Sequence, residues 1–334
     1  MIKEVGEMKR FKDILCVMEP QAACQCALER AVALAENNQA RVTIATITER
    51  VPEGMRIPEG GPGPGDMQAR LMEAQARSLE TLIEPYRARV KINVKVLVGT
   101  SFLEIIREVL RNEHDLVIKC PESPDWLDRL FAGDDMHLLR KCPCPVWLVK
   151  PEESGSYQRI LAAVDVDDSH PPAELKTRQA LNDMVMELAG SSAVSEFAEL
   201  HVVHAWEAIG ESALRHSAFM SQPEDKVNTY VEQVRQHHAQ LLDTLMQETR
   251  AKLGPDAMDF IKPQLHLLKG SARKEIPALA KRLQVDCIVM GTVARTGVRG
   301  FIMGNTAETI LEQIDCSVLA IKPPGFETPV TLED

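Results

Sequence analysis

Val98-Gly-Thr-Ser-Phe-Leu-Glu-Ile-Ile106 can be laid residue for residue on Lys269-Gly-Ser-Ala-Arg-Lys-Glu-Ile-Pro277. Gly99 then matches Gly270 and Glu104 matches Glu275, both at an offset of 171. The same offset carries Asp115-Leu-Val-Ile onto Asp286-Cys-Ile-Val and Gly133 onto Gly304. One residue more carries Val146-Trp-Leu-Val-Lys-Pro151 onto Val318-Leu-Ala-Ile-Lys-Pro323. Upstream, Ile14-Leu-Cys-Val-Met-Glu19 matches Ile160-Leu-Ala-Ala-Val-Asp165 at an offset of 146, so the second copy holds 25 additional residues before Gly270. A chain that repeats itself in this way is built from two copies of one supersecondary plan.

Each copy reads as strands alternating with helices, the pattern of an α/β fold with a parallel sheet covered on both faces. In the first copy the expected strands are 13–18, 41–47, 91–98, 115–119 and 146–149; in the second they are 159–164, 199–203, 264–268, 286–290 and 317–321. They are short, nearly continuous apolar runs, as parallel strands buried on two faces are. Helices are expected over 22–36, 67–83, 102–111 and 228–252, the second capped by Asp66. The stretch 51–65, crowded with proline and glycine, reads as a flexible loop or lid. Residues 207–225 read as a loop or a short extra helix. Polar Glu152-Glu-Ser-Gly-Ser156 serves as the linker, which places a first domain at 1–151, a second at 158–324 and a tail at 325–334.

A length of 334 residues suits two such domains. Apolar residues make up 45% and charged residues 26%, ordinary values for a globular chain. The 38 basic and 49 acidic residues leave a net charge of −11, which disfavours a nucleic-acid partner. Neither a membrane-length apolar run nor a signal-peptide core is present, so no membrane insertion and a cytoplasmic location are expected. Of the eight cysteines, Cys24-Gln-Cys26 and Cys142-Pro-Cys144 have one-residue spacers. Redox and zinc motifs usually space their thiols by two, so buried thiols are expected and no disulfide framework.

In an open parallel sheet, ligands bind beyond the carboxyl ends of the strands. In the second copy that place is held by Gly291-Thr-Val-Ala-Arg-Thr-Gly-Val-Arg-Gly-Phe-Ile-Met-Gly-Asn-Thr306, whose glycines permit close backbone approach and whose end opens a helix with free amides. This loop resembles the phosphate signature of the universal stress protein family: glycine, two residues, glycine, nine residues, glycine, then serine or threonine. Gly291, Ala294 and Gly304 occupy those spacings, and the paired copies resemble the family's tandem E-type members over nearly the whole chain. Ala294 stands where the family has glycine and Asn305 where it has serine or threonine, with Thr306 following.

The resemblance implies two tandem flavodoxin-like, Rossmann-like domains, each a five-stranded parallel sheet in order 3-2-1-4-5, pairing within the chain like a family dimer; a homodimer of chains and an unknown regulatory partner fit the same picture. It further implies a non-catalytic stress-response regulator, with no metal and at most weak ATPase activity. ATP or ADP, at no more than one site per chain, would be held by Asp165, Val203, Gly291, Ala294, Arg295, Gly304, Asn305 and Thr306. Asp165 matches the family's acidic residue near the nucleoside, Arg295 and Arg299 could pair with phosphate oxygens, and Asn305 could cap the helix.

In the first copy Cys120, Ser123, Gly133, Asp134 and Asp135 stand at the matching positions. Two carboxylates there would repel a polyphosphate, and Pro121 and Pro124 remove amides, so this copy is not expected to bind ATP.

Other candidates have plainer readings. His201 and His204 fall on opposite faces of a strand and cannot share a metal. His237 and His238 read as surface residues of a helix, and the acidic run 165–168 as a strand end with a helix cap. A nucleotide-independent scaffold, or a carrier of an apolar, lipid-like ligand in a second-domain cavity near Met220, is the alternative from another functional class.

Overall fold

The computed structural model describes residues 11–18, 25–55, 61–121, 133–151, 156–217, 220–292 and 303–332. Two compact units emerge. The N-terminal unit comprises the described residues up to 151 together with 317–320 and 326–332, and the C-terminal unit comprises 156–316 with 321–325.

In the N-terminal unit the order is β1 (Asp13–Val17), α1 (Gln25–Asn38), β2 (Arg41–Thr48), α2 (Pro64–Ile83), β3 (Ile92–Val98), α3 (Ser101–Asn112), β4 (Leu116–Lys119), α4 (Asp134–Lys141) and β5 (Val146–Leu148). β1 pairs in parallel with β2 and β4, β2 with β3, and β4 with β5. This is the order 3-2-1-4-5. Every residue of β4 and β5 is buried, which is why these strands read as unbroken apolar runs. Lys119 breaks that pattern. In α2, Pro64 takes the first helical position and Asp66 lies inside the first turn; Gly63, not Asp66, is the N-cap. Asp66 still favours that end through the helix dipole.

The C-terminal unit contains β6 (Arg159–Ala163), α5 (Pro172–Glu196), β7 (Glu199–Trp206), α6 (Glu211–His216), α7 (Glu224–Leu253), α8 (Pro255–Ile261), β8 (Gln264–Lys269), α9 (Ala272–Leu283), β9 (Cys287–Gly291) and α10 (Asn305–Leu311). Its parallel strands run β9-β6-β7-β8. The ambiguous stretch 207–225 contains the short helix α6. The additional residues lengthen α5 to 25 residues against 14 in α1, and add α6.

The expectation of two separate five-stranded parallel sheets is corrected by β10 (Ser317–Ile321), the last strand of the second repeat. Its residues 317–320 belong to the N-terminal unit, where β10 lies antiparallel to β5 with Val318 opposite Leu148, Leu319 opposite Trp147 and Ala320 opposite Val146. That unit's sheet is therefore six-stranded and mixed. The physical reason is the short, apolar β5, whose free edge would otherwise expose unpaired backbone groups. Pairing of the two last strands, as expected from the sequence, is present.

The paired motifs that revealed the repeat have a common cause. Gly99 and Gly270 adopt φ of +142° and +134°, and a Cβ there would lie 3.0 Å from Glu104 Cγ and 2.9 Å from Glu275 Oε1. Glycine and glutamate recur together because the acid folds back over a backbone that only glycine adopts easily. Gly270→Ala is expected to cost about 1–2 kcal/mol from backbone strain alone, read from the urea midpoint of the C-terminal unit.

Candidate functional site

Among the described residues, Gly291 ends β9, Asp165 lies just beyond β6 and Val203 lies within the adjoining β7. Asp165 follows β6, whose Ala163 is paired with Val203 of β7 on one side and Met290 of β9 on the other. Gly291 closes β9, and the amide of Gly304 donates to the carbonyl of Thr292 at 3.0 Å, so the far end of the loop is tied to the strand that starts it. Asn305 and Thr306, both exposed, open α10. Ala294, Arg295 and Arg299 lie outside the described residues.

Each of these residues has its own engagement. The Asp165 amide donates to Asn182 Oδ1 at 3.0 Å, while Asn182 Nδ2 donates to the Asp165 carbonyl at 2.7 Å. The Asp165 carboxylate accepts from the Asp167 amide and pairs with Arg178, yet remains half exposed. Val203 is fully buried and its carbonyl accepts from the Val164 amide, so neither its side chain nor that oxygen faces a ligand. The expected cap by Asn305 is not formed: Gly304 is the N-cap, and Asn305 is the first helical residue. Arg273, at the start of α9, donates from Nε to Thr306 Oγ1 at 3.4 Å. This exposed guanidinium was not singled out by sequence reasoning, and only tertiary contact between α9 and α10 places it here.

Gly291 has a packing role that its loop position hides. A Cβ there would lie 2.2 Å from Leu181 Cδ2 and 2.6 Å from Leu181 Cγ, because α5 presses that leucine onto the end of β9. Gly291→Ala is expected to cost about 1–3 kcal/mol by overpacking. Adding Leu181→Ala should relieve the clash and expose the loop. A urea midpoint for Gly291→Ala equal to wild type would show that Leu181 moves aside freely.

The first repeat holds different chemistry at the same place. Lys119 and Asp135 form a buried ion pair at 2.6 Å, their side chains only 1% and 9% exposed. At the matching positions the second repeat has Met290 and Thr306. Asp134 accepts the Phe102 amide at 3.4 Å. Asp135 is thus paired with a cation. A lysine in an otherwise apolar strand was the sequence signal for this pair.

Behind the candidate nucleotide site lies a histidine cluster. His204 is buried, with Nδ1 3.3 Å from the Val164 carbonyl and Nε2 3.0 Å from His238 Nδ1. The His238 ring stacks on Trp206, so His238 is a core residue and not the surface residue expected; its neighbour His237 does face outward, bonded to Asp168. On the opposite face of β7, His201 Nδ1 lies 3.0 Å from His266 Nε2. Met220, expected near a cavity, is exposed.

Comparison with known proteins now bears on this arrangement. The model of the universal stress protein family matches residues 10–150 and again 156–322. The chain belongs to the universal stress protein family. It is 30% identical over 331 residues to universal stress protein E of Escherichia coli K12, covering 98% of this chain and 99% of that one. The universal stress protein E homolog of Haemophilus influenzae is 29% identical over 94% of this chain and 98% of its own length. Among solved structures, a functionally unknown protein of Pseudomonas aeruginosa PAO1 superposes with a TM-score of 0.67 at 26% identity, over 95% of this chain and 94% of that chain. A universal stress protein of Archaeoglobus fulgidus shares the fold with a TM-score of 0.60 at 17% identity. Among the described residues no helix is long and apolar enough to cross a membrane.

Proposed function

We propose that this tandem universal stress protein is a non-catalytic regulator of the stress response whose C-terminal unit binds one adenine nucleotide, ATP or ADP, per chain. The observation that carries this reading is the difference between the repeats. Where the N-terminal unit has a buried Lys119–Asp135 pair and Asp134, the C-terminal unit has neutral, exposed Asn305 and Thr306 with Arg273 beside them. A phosphate placed on the neutral side meets amides and a guanidinium, which form charge-assisted hydrogen bonds. Asp165 supplies a half-exposed carboxylate at the same edge for ribose hydroxyls.

A second reading, a nucleotide-independent scaffold or carrier, is favoured by one contact: Leu181 packs directly over Gly291. Titration calorimetry separates the two. Binding of ATP with at most one site per chain is expected. Arg273→Ala should weaken it by about 1.5–3 kcal/mol if the guanidinium contacts phosphate. Ala294→Gly should strengthen it, since glycine tolerates a left-handed backbone and close approach. If neither wild type nor Ala294→Gly binds ATP at millimolar concentration, the nucleotide reading fails and the scaffold or carrier takes its place.

A further inference from the structure

Part of the C-terminal unit's extra chain lies at the candidate nucleotide crevice. The connection from β6 to β7 is 35 residues long, against 23 from β1 to β2. Parallel strands oblige the helix between them to start at their carboxyl ends and run back to their amino ends. Along α5 two neighbours mark where the helix passes the strand ends. Leu181 sits on Gly291, the last residue of β9, and Asn182 exchanges hydrogen bonds with the backbone of Asp165, two residues past β6. Nine residues of α5 precede Leu181, so about 14 Å of helix stands in front of the strand ends.

This front segment, 172–181, differs from the rest of α5. None of its residues is buried, whereas the eight buried residues of the helix all fall between Asn182 and Ala193. Its N-cap is Pro171, which makes no side-chain capping bond. A segment with few buried contacts and no cap opens at lower free energy than the helix it extends. Two side chains about one turn apart latch it over the crevice. Arg178 pairs with the Asp165 carboxylate, and Leu181 fills the space at Gly291. The Arg178 and Asp165 side chains are 24% and 49% exposed, and a partly solvated pair of this kind holds weakly.

We propose that 172–181 is a built-in lid that closes the nucleotide crevice in the unliganded chain and frays away when a nucleotide enters. The inference rests on the nucleotide reading and concerns the regulation of that site. A ribose needs the carboxylate that Arg178 holds, and a phosphate needs the backbone at Gly291 that Leu181 covers. The closed and the liganded forms therefore exclude each other. ATP binds only the open fraction of molecules, and its apparent affinity is reduced by that fraction. The paired bonds between Asn182 and Asp165 lie behind the lid and hold the remainder of α5 in place as it opens.

The first test uses the full chain and needs no ligand. In hydrogen exchange read by mass spectrometry, the amides of 176–181, which lie beyond the first helical turn, are expected to exchange at least about tenfold faster than those of 184–193. Equal protection of the two stretches would overturn the lid whatever ATP does. Millimolar ATP should raise exchange in 176–181 further, whereas a ligand packing against a rigid wall would slow it and count against the lid. Titration calorimetry with ATP then compares variants. Arg178→Ala/Leu181→Ala should bind about tenfold more tightly than wild type, the gain when an open fraction of about a tenth becomes dominant. Arg178→Gln, which keeps a good helix former, should gain about two- to fivefold, the worth of a partly exposed ion pair. If wild type binds and both variants bind equally or more weakly, the nucleotide reading stands and the lid does not. If none of the three binds, the nucleotide reading fails and takes the lid with it.

Discussion

Lys119→Ala is expected to lower the stability of the N-terminal unit by about 3–5 kcal/mol, the cost of leaving one member of a buried ion pair without its partner. The pair is at 2.6 Å and almost wholly shielded from water, so an Asp135 carboxylate deprived of Lys119 has poor access to solvent. The second repeat suggests the repair. There the matching residues are Met290 and Thr306, an uncharged pair that the same fold accommodates. Lys119→Met alone should be nearly as damaging as Lys119→Ala, because Asp135 stays buried. Lys119→Met/Asp135→Thr should return to within about 1 kcal/mol of wild type, since replacing both members of a buried pair by well-packed neutral residues is often near neutral. Urea unfolding followed by a probe in the N-terminal unit reads all three variants. Equal midpoints for Lys119→Met and the double variant would mean that an Asp135 carboxylate without Lys119 carries no burial penalty. The same double variant removes one acid from the matching phosphate position, so its calorimetry with ATP also asks whether the ion pair is what keeps that crevice closed.

How much of this was legible before any coordinates can be judged from particular residues. The strands were readable because a parallel strand covered on both faces is largely apolar, as in Leu116–Ile118 and Val146–Leu148. Their edges fell within a residue or two, except β7, which runs on to Trp206. The extent of α5 was not readable. Its buried residues, from Asn182 through Ala193, include neighbours such as Met184, Val185 and Met186, so no single apolar face marks it. The pairing of residues 317–320 with β5 was legible only through the family resemblance, because a strand's own sequence states that it is buried and not beside which partner.

At the candidate site, local spacing found Gly291, Gly304 and Asp165, whose roles depend on their own backbone or strand position. Contacts between distant segments escaped it. Leu181 over Gly291, Arg273 on Thr306 and Lys119 on Asp135 join residues 110, 33 and 16 positions apart. The histidines make the same point more sharply. His237 and His238 are adjacent on α7 and about 100° apart around it. That rotation alone sends one to Asp168 at the surface and the other against His204 and Trp206. The cysteines follow the same rule, since Cys26 Sγ lies 3.5 Å from Cys120 Sγ, 94 positions along the chain.

The buried imidazoles make the C-terminal unit sensitive to mild acid. Burial holds His204 below the usual histidine range, against the opposing pull of Asp165 and Asp167; burial also lowers His201, and lowers His266 with help from His201 and Arg282. A histidine whose folded value lies below its unfolded value of about 6.5 binds its proton more readily when unfolded. Its contribution to stability is complete above that unfolded value and is lost as pH falls toward the folded one. Geometry reinforces this: in each pair one ring nitrogen donates and the other accepts at 3.0 Å, and two doubly protonated rings would set donor against donor. Each group can steepen the pH dependence by at most about 1.4 kcal/mol per pH unit. His204, shielded on all sides by Val164, His238 and the strand, should come nearest that limit. The urea midpoint of the C-terminal unit is therefore expected to fall between about pH 7 and pH 5, where carboxylates of ordinary pKa remain ionised. His204→Gln keeps a neutral hydrogen-bonding group but removes the titration, and should flatten the curve even if it lowers it throughout. A variant curve as steep as wild type would assign the acid sensitivity to other groups.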